Sequence, residues 1–174
     1  MLIGDRFVLL AGLVCYRKIE WFNSCFKRRG CPNVPLSIMR RFTFCAGHRL
    51  LGHEGKCQNL HGHNYVLEVY VTGQEQDEIG RILDFKLLKQ RVNGWLDEHW
   101  DHTFVLWRED DNGLQAIRAS EPHRIYELDT NPTAENMAIH FLEDVCPKIL
   151  EGSGARAYKV RLWESEETYA EIEH

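Results

Sequence analysis

The chain has 174 residues, of which 44% are hydrophobic and 27% charged, and its net charge is −5. That length suits a domain with a buried core. The acidic balance argues against a nucleic-acid-binding domain, which shows as a basic face or stripe, and no apolar run approaches the length that spans a bilayer.

The first 36 residues differ from the rest. They hold six Lys or Arg against two Asp or Glu, a charge of +4 that leaves −9 for the remainder. An apolar run from Phe7 to Tyr16 follows Arg6, without a convincing small-residue cleavage site. Three readings stand: a targeting or membrane-touching arm, an extra structural element, or translated sequence upstream of the true start, with Met39 close by. Residues 1–36 are therefore expected to be an N-terminal extension of uncertain structure, and residues 37–174 the functional domain.

From residue 37 the periodicities sharpen. Residues 37–49 alternate as a strand, with Ile38, Phe42, Phe44 and Ala46 on one face and Arg40 out of place among them. Gly52 and Gly55 mark a loop over residues 50–56. Residues 63–72 form a second strand with Tyr65, Leu67, Val69 and Val71 inward, followed by a charged turn over 73–80. Asp84 is a helix N-cap. The helix after it carries Phe85, Leu88, Val92, Trp95 and Leu96 on one stripe. Residues 107–127 have no assignable pattern. Asn131 and Pro132 read as a second helix start, with proline at the first helical position. Its stripe is Ala134, Met137, Phe141, Val145 and Ile149. Pro147 should disturb the last turn, and Gly152 and Gly154 end it. Residues 157–164 are a strand with Tyr158, Val160 and Leu162 inward. The pattern is α+β with an antiparallel sheet.

Nine histidines is a high count, and six of them lie between His48 and His102. His61 and His63 are two apart, so on a strand they point the same way, in phase with Tyr65 and Leu67. His48 is in phase with Phe42, Phe44 and Ala46. If the two strands form an antiparallel hairpin, all three imidazoles converge at one end of one sheet face. Three neutral imidazoles with an open fourth position are the ligand set of a catalytic zinc, whereas structural zinc sites have four protein ligands rich in cysteine. The competing reading is three histidines satisfied by hydrogen bonds. Gly62 between two of them lets another backbone or a ligand approach closely.

Six cysteines, at positions 15, 25, 31, 45, 57 and 146, show no repeated spacing and point to a reducing compartment. Cys57, four residues before His61, reads as a fourth metal ligand, an inert thiol, or a base activated by Lys56 and a nearby cation. Cys45 has the opposite parity to His48 and faces away. Asp101 next to His102 is a carboxylate placed to fix an imidazole tautomer, while His99 extends the helix stripe and is structural. Glu164 falls at the inward position of a strand end. It reads either as the partner of an Arg or Lys or as a bidentate grip on a guanidine-like ligand.

These residues lie in strings that resemble a known family. Phe-Thr-Phe-Cys-Ala-Gly-His-Arg-Leu at 42–50 and Lys-Cys-Gln-Asn-Leu-His-Gly-His-Asn-Tyr at 56–65 are similar to the 6-pyruvoyltetrahydropterin and 6-carboxytetrahydropterin synthases. Ile-Leu-Asp-Phe at 82–85, Asp-His at 101–102, Asn-Pro-Thr-Ala-Glu-Asn at 131–136 and Leu-Trp-Glu-Ser at 162–165 follow in the same order. The resemblance covers residues 37 to 172. It implies the tunnelling fold, a four-stranded antiparallel sheet with two helices packed on one face. It also implies a hexamer built as a dimer of trimers, with active sites between subunits.

By position, the resemblance implies His48, His61 and His63 as zinc ligands and Cys57 as the proton-transferring residue. Asp101 and His102 would complete its relay from a neighbouring subunit. Glu164 would grip the pterin, with Thr133 and Glu135 as further substrate-binding residues.

The short spacing from Cys57 to His61 is similar to the 6-carboxytetrahydropterin synthases of the queuosine and 7-deazaguanine pathway. The expected function is therefore a cytoplasmic, zinc-dependent lyase acting on 7,8-dihydroneopterin triphosphate, with no nucleic-acid or membrane partner. The rivals are a 6-pyruvoyltetrahydropterin synthase and a non-catalytic zinc-binding scaffold of the same fold. Arg49 and Lys56 are near enough in sequence to meet the triphosphate. Cys45, Gly47 and the length of residues 107–127 depart from the family pattern.

Overall fold

The structure, a computed structural model, describes residues 36–174. The expectations for residues 1–36 fall, Leu36 apart, outside the described residues. Strand β1 (Ser37–His48) and strand β2 (His61–Gly73) pair antiparallel, from Ser37 opposite Thr72 to His48 opposite His61. Apolar side chains at every second position make one face of this hairpin adhesive. That face buries Phe42, Phe44, Ala46, Tyr65, Leu67, Val69 and Val71. Arg40, the misfit on it, turns its guanidinium to the backbone carbonyl of Phe85, 3.3 Å away.

Helix α1 (Phe85–His99) starts where the sequence places it, with Asp84 accepting from the Lys86 N–H at 2.7 Å. Leu88, Val92 and Leu96 are buried and Trp95 packs against the core, but Phe85 in the first turn is half exposed.

Residues 107–127, unassigned from sequence, resolve into short pieces. Strand β3 (Thr103–Trp107) pairs parallel with β1, helix α2 (Asp111–Arg118) follows, and strand β4 (Ile125–Leu128) pairs parallel with β3. Asp110 caps α2 by accepting from the Gly113 N–H at 2.9 Å. The same buried carboxylate takes the guanidinium of Arg49 in a two-pronged ion pair. Arg49 is thus committed to holding α2, not to meeting a phosphate as its sequence position suggested.

Helix α3 (Ala134–His140) begins two residues later than expected. Thr133 is its N-cap and accepts from the Asn136 N–H at 3.2 Å, so Pro132 precedes the helix instead of opening it. The ladder then widens over Phe141–Val145, where the Cys146 N–H reaches back to the Phe141 carbonyl. This π-type turn carries the chain into α4 (Cys146–Ile149), whose first turn contains Pro147, a place where a missing N–H costs nothing. Gly152 and Gly154, at φ +71° and +73°, end the segment in the left-handed region that glycine adopts freely.

Strand β5 (Ala155–Trp163) and strand β6 (Tyr169–Glu173) complete the sheet; β6 is the strand that the resemblance implies but the residue pattern does not locate. The strand order is β4-β3-β1-β2-β5-β6. The expected four antiparallel strands are present as β1, β2, β5 and β6, but two short parallel strands extend them at the β1 edge, so the sheet is six-stranded and mixed.

Tyr158 corrects a second expectation. The β2–β5 register slips between Tyr70 and Val71, so Ala157, not Tyr158, pairs with Val71. This bulge reverses side-chain parity. The Tyr158 ring packs 6.3 Å from that of Tyr70 on the opposite face, and its hydroxyl donates to Ser37. Val160 and Leu162 remain fully buried. The buried stripes of α1, α3 and the π-type turn cover the inward face in one core.

The Arg49–Asp110 pair makes a stability prediction. Asp110 is 1% exposed, and removing it strands a partly buried guanidinium and uncaps α2. Asp110→Ala should lower the unfolding free energy in urea by about 3 kcal/mol or more. Glu127→Ala, which breaks the exposed pair with Arg118, should cost under about 1 kcal/mol.

Candidate metal centre

The register of the β1–β2 hairpin sets the site. Because His48 opposes His61 and Ala46 opposes His63, all three histidines share the inward face at the hairpin's closed end. Their ring centroids lie 4.5 Å (His48–His61), 5.1 Å (His48–His63) and 5.0 Å (His61–His63) apart. Gly62, on the other face, lets the two backbones close here, because a Cβ there would stand 2.9 Å from the Ala46 carbonyl oxygen. Gly47, directly across the ladder, has the same duty toward Phe104, whose ring a Cβ would overlap at 2.4 Å.

The second ring nitrogens fix the tautomers. His48 Nδ1 is 2.8 Å from the Pro132 carbonyl oxygen, and His61 Nδ1 is 2.8 Å from that of Asn59. A carbonyl only accepts, so both Nδ1 atoms carry the proton. In each neutral ring Nε2 is then a bare lone pair. Yet His48 Nε2 and His61 Nε2 face each other at 3.1 Å. Two lone pairs at that distance repel unless a proton or a cation lies between them. Protonation is disfavoured: burial pushes His48 below the ordinary imidazole range, and although the Pro132 carbonyl works against that, neighbouring His61 adds to it. Burial likewise lowers His63 against the pull of Glu164.

Glu164 completes the group. Its Oε1 is 3.1 Å from His63 Nε2 and 3.7 Å from His48 Nε2. The approach to His63 is not aligned as a hydrogen bond, and among the described residues His63 Nε2 is buried without such a partner. His48, His61, His63 and Glu164 offer four ligand atoms within 4.8 Å of one another. A buried orphan nitrogen, two opposed lone pairs and a carboxylate are the donor set that a divalent cation satisfies. Cys57 is outside this set.

Cys57 lies half-buried in a single 3-10 turn, Lys56–Gln58, pinned by its carbonyl to the Leu50 N–H at 2.8 Å. It is close enough to act electrostatically on Tyr65. Burial, with Glu164 and Cys57 adding to it, pushes the Tyr65 phenol far above its ordinary value. The Tyr65 hydroxyl is fully buried and has no hydrogen-bond partner among the described residues.

Asp101 and His102 do not join the cluster within the chain. Asp101 Oδ1 accepts from the Cys45 N–H at 2.9 Å, Oδ2 is 2.8 Å from His102 Nδ1, and the His102 N–H donates to the Cys45 carbonyl. Partial burial works against the charged carboxyl, but those two hydrogen bonds hold it below the usual carboxylate range. The pair flanks Cys45, whose side chain meets Asn64 on the sheet face opposite the histidines. His102 is largely exposed at φ +55°, a left-handed backbone that histidine adopts uncommonly.

Thr133 is the α3 cap, and Glu135 is exposed in that helix's first turn, both next to the carbonyl that holds His48. The supports were not singled out from sequence. Asn131 clamps the 50–56 loop through Leu51, accepting from its N–H at 2.8 Å and donating to its carbonyl at 2.9 Å. Asn136 holds the Asn131 carbonyl at 2.9 Å. The signal for both was the 131–136 string, which binds loop, helix start and His48 into one unit.

Comparison with known proteins agrees with this layout. The family model described as 6-pyruvoyl tetrahydropterin synthase matches residues 37–174. The chain is 40% identical over 137 residues to the 6-carboxy-5,6,7,8-tetrahydropterin synthase of Rickettsia bellii, covering 79% of this chain and 99% of that protein. It is 32% identical over 156 residues to the protein of that name from Aquifex aeolicus, covering 77% and 95%. Among solved structures, Caenorhabditis elegans 6-pyruvoyl tetrahydropterin synthase superposes with a TM-score of 0.58 at 25% identity, over 80% of this chain and 95% of that one. An uncharacterised Wolinella succinogenes protein reaches 0.66 at 20% identity, over 80% and 98%, a likeness of fold. The fold is the tunnelling type. Among the described residues no helix is long and apolar enough to cross a membrane.

The donor set predicts metal-linked stability. Zinc added to chelator-stripped protein at a hundredfold excess over its dissociation constant should raise the unfolding free energy by about 2.7 kcal/mol. His61→Ala should abolish most of that gain, read from thermal melts with and without zinc.

Proposed function

The chain belongs to the 6-pyruvoyl tetrahydropterin synthase family, and from that membership we propose that it is a zinc-dependent 6-carboxytetrahydropterin synthase. The reaction is conversion of 7,8-dihydroneopterin triphosphate and one water into 6-carboxy-5,6,7,8-tetrahydropterin, acetaldehyde and triphosphate, in the queuosine and 7-deazaguanine pathway. The observation that carries the reading is the opposed pair of imidazole lone pairs beside an orphaned His63 nitrogen, a cluster suited to a cation. The names of the relatives support the carboxy branch, as does the short spacing from Cys57 to His61.

His48, His61 and His63 are the proposed ligands, and zinc bound there supplies Lewis acidity to the hydroxyls of the substrate side chain. The rest falls to the chain's own groups. Cys57, on its pinned turn outside the ligand set, is the proposed group that takes protons from the side-chain carbons and returns them. Asp101 holds a proton on His102 Nδ1, so His102 Nε2 is the basic atom and points to solvent. Since that pair flanks Cys45 on the sheet face opposite the histidines, its proposed target is the Cys57 of a neighbouring subunit in a hexamer, a dimer of trimers. Glu164, Thr133 and Glu135 are the proposed pterin contacts. Among the described residues Cys45, Cys57 and Cys146 are free thiols, which supports the reading of a cytoplasmic protein.

A 6-pyruvoyltetrahydropterin synthase is the second reading, favoured by the family description and the Caenorhabditis elegans structure. The two differ in acetaldehyde. Incubation with dihydroneopterin triphosphate and zinc should yield 6-carboxytetrahydropterin and acetaldehyde in equal amounts. Triphosphate release with an intact three-carbon side chain would establish the second reading, and no consumption at all a scaffold. Cys57→Ala should keep its zinc and lose at least about a hundredfold in turnover. Loss of zinc along with activity would instead make Cys57 a ligand.

A further inference from the structure

Sequence position offered Glu164 two partners, a cationic side chain or a guanidine-like ligand. Among the described residues its carboxylate meets neither. Its ion-pair contacts are His63 and His48, at 3.1 Å and 3.7 Å from Oε1. The residue stands just past the end of β5, where its backbone N–H donates to the Thr168 carbonyl at 3.1 Å. The backbone is therefore anchored in the β5–β6 turn while the side chain, 26% exposed, keeps a path to solvent. It brings a carboxylate to three imidazoles and makes a four-donor set. Four protein donors describe a closed site, yet catalysis on a bound ion needs an open position.

We propose that Glu164 is an exchangeable fourth ligand. It closes the coordination sphere of the ion held by His48, His61 and His63, and it leaves when a ligand offers its carboxylate two parallel N–H donors. This rests on the reading above, that the cluster holds zinc and the site takes a pterin. The guanidine-like edge of a pterin presents such a pair of donors, and a two-pronged hydrogen bond to a carboxylate competes with a single metal contact. A molecule lacking that edge cannot draw the carboxylate off, so the metal position opens only for the right ligand. Binding energy at the pterin ring thereby assembles the reactive site at the other end of the substrate, and specificity follows from the exchange.

The test uses the full chain, wild type and Glu164→Gln, with 7,8-dihydroneopterin as the probe because it has the pterin edge and no triphosphate to release. Zinc affinity is measured by competition with a chromophoric chelator, and coordination by the visible absorption of the cobalt-substituted protein. Glu164→Gln should weaken zinc by about tenfold or more and alter the cobalt spectrum. Dihydroneopterin should shift the wild-type spectrum toward that of the variant and leave the variant's nearly unchanged. Equal zinc affinity and identical spectra in the two proteins would overturn the proposal and leave the pterin enzyme standing. A wild-type spectrum indifferent to dihydroneopterin would overturn the exchange, and this arm needs no variant. Absence of stoichiometric metal from both proteins would sink the enzyme reading itself.

Discussion

Two imidazole nitrogens, both stripped of their protons by backbone carbonyls, are held 3.1 Å apart in a buried place. Without a positive charge between them that contact is repulsive, and burial discourages a proton from supplying it. The chain accepts this because the pairing of β1 with β2 leaves no alternative. A slip of one residue would turn one strand's set away from the other's, separating His48, Phe42 and Phe44 from His61, His63, Leu67 and Val69. Burial of those side chains therefore stabilises the crowding of the histidines.

The surroundings serve the same contact. Gly62 and Gly47 keep the hairpin end free of side-chain bulk. The 131–136 string supplies the carbonyl that orients His48, the cap that starts α3, and the Asn131 clamp on the loop carrying Cys57. A buried phenol and a carboxylate are thus gathered around one set of imidazole rings. The outward sheet face is separate in character, with Arg161 bridging Glu68 and Glu171 and Lys159 reaching Glu171 and Glu173.

The long amphipathic pieces were legible in the sequence. β1, β2 and α1 declared themselves because each runs long enough for its period to repeat, and the convergence of three histidines followed from parity. What escaped has identifiable causes. β3 and β4 are five and four residues, too short to show a period. The bulge at Tyr158 is a single inserted residue that reverses parity without a signature in residue type. Pro132 looked like a helix start, but Thr133 is the better cap because its hydroxyl reaches the Asn136 N–H. Arg49 was read by its nearness to the site, while its actual partner, Asp110, is 61 residues away. The nearness of Glu164 to the histidines depends on how the end of β5 meets the start of β2, and spacing along the chain carries no record of that.

X-ray absorption at the zinc edge of the purified, zinc-loaded chain tests the metal centre most directly. The account predicts one ion per chain, with a first shell of nitrogen and oxygen atoms near 2.0–2.1 Å, imidazole back-scattering from three rings, and loss of that signal in His48→Ala. A sulfur-dominated shell near 2.3 Å, or an unchanged spectrum once His48 is removed, would contradict it.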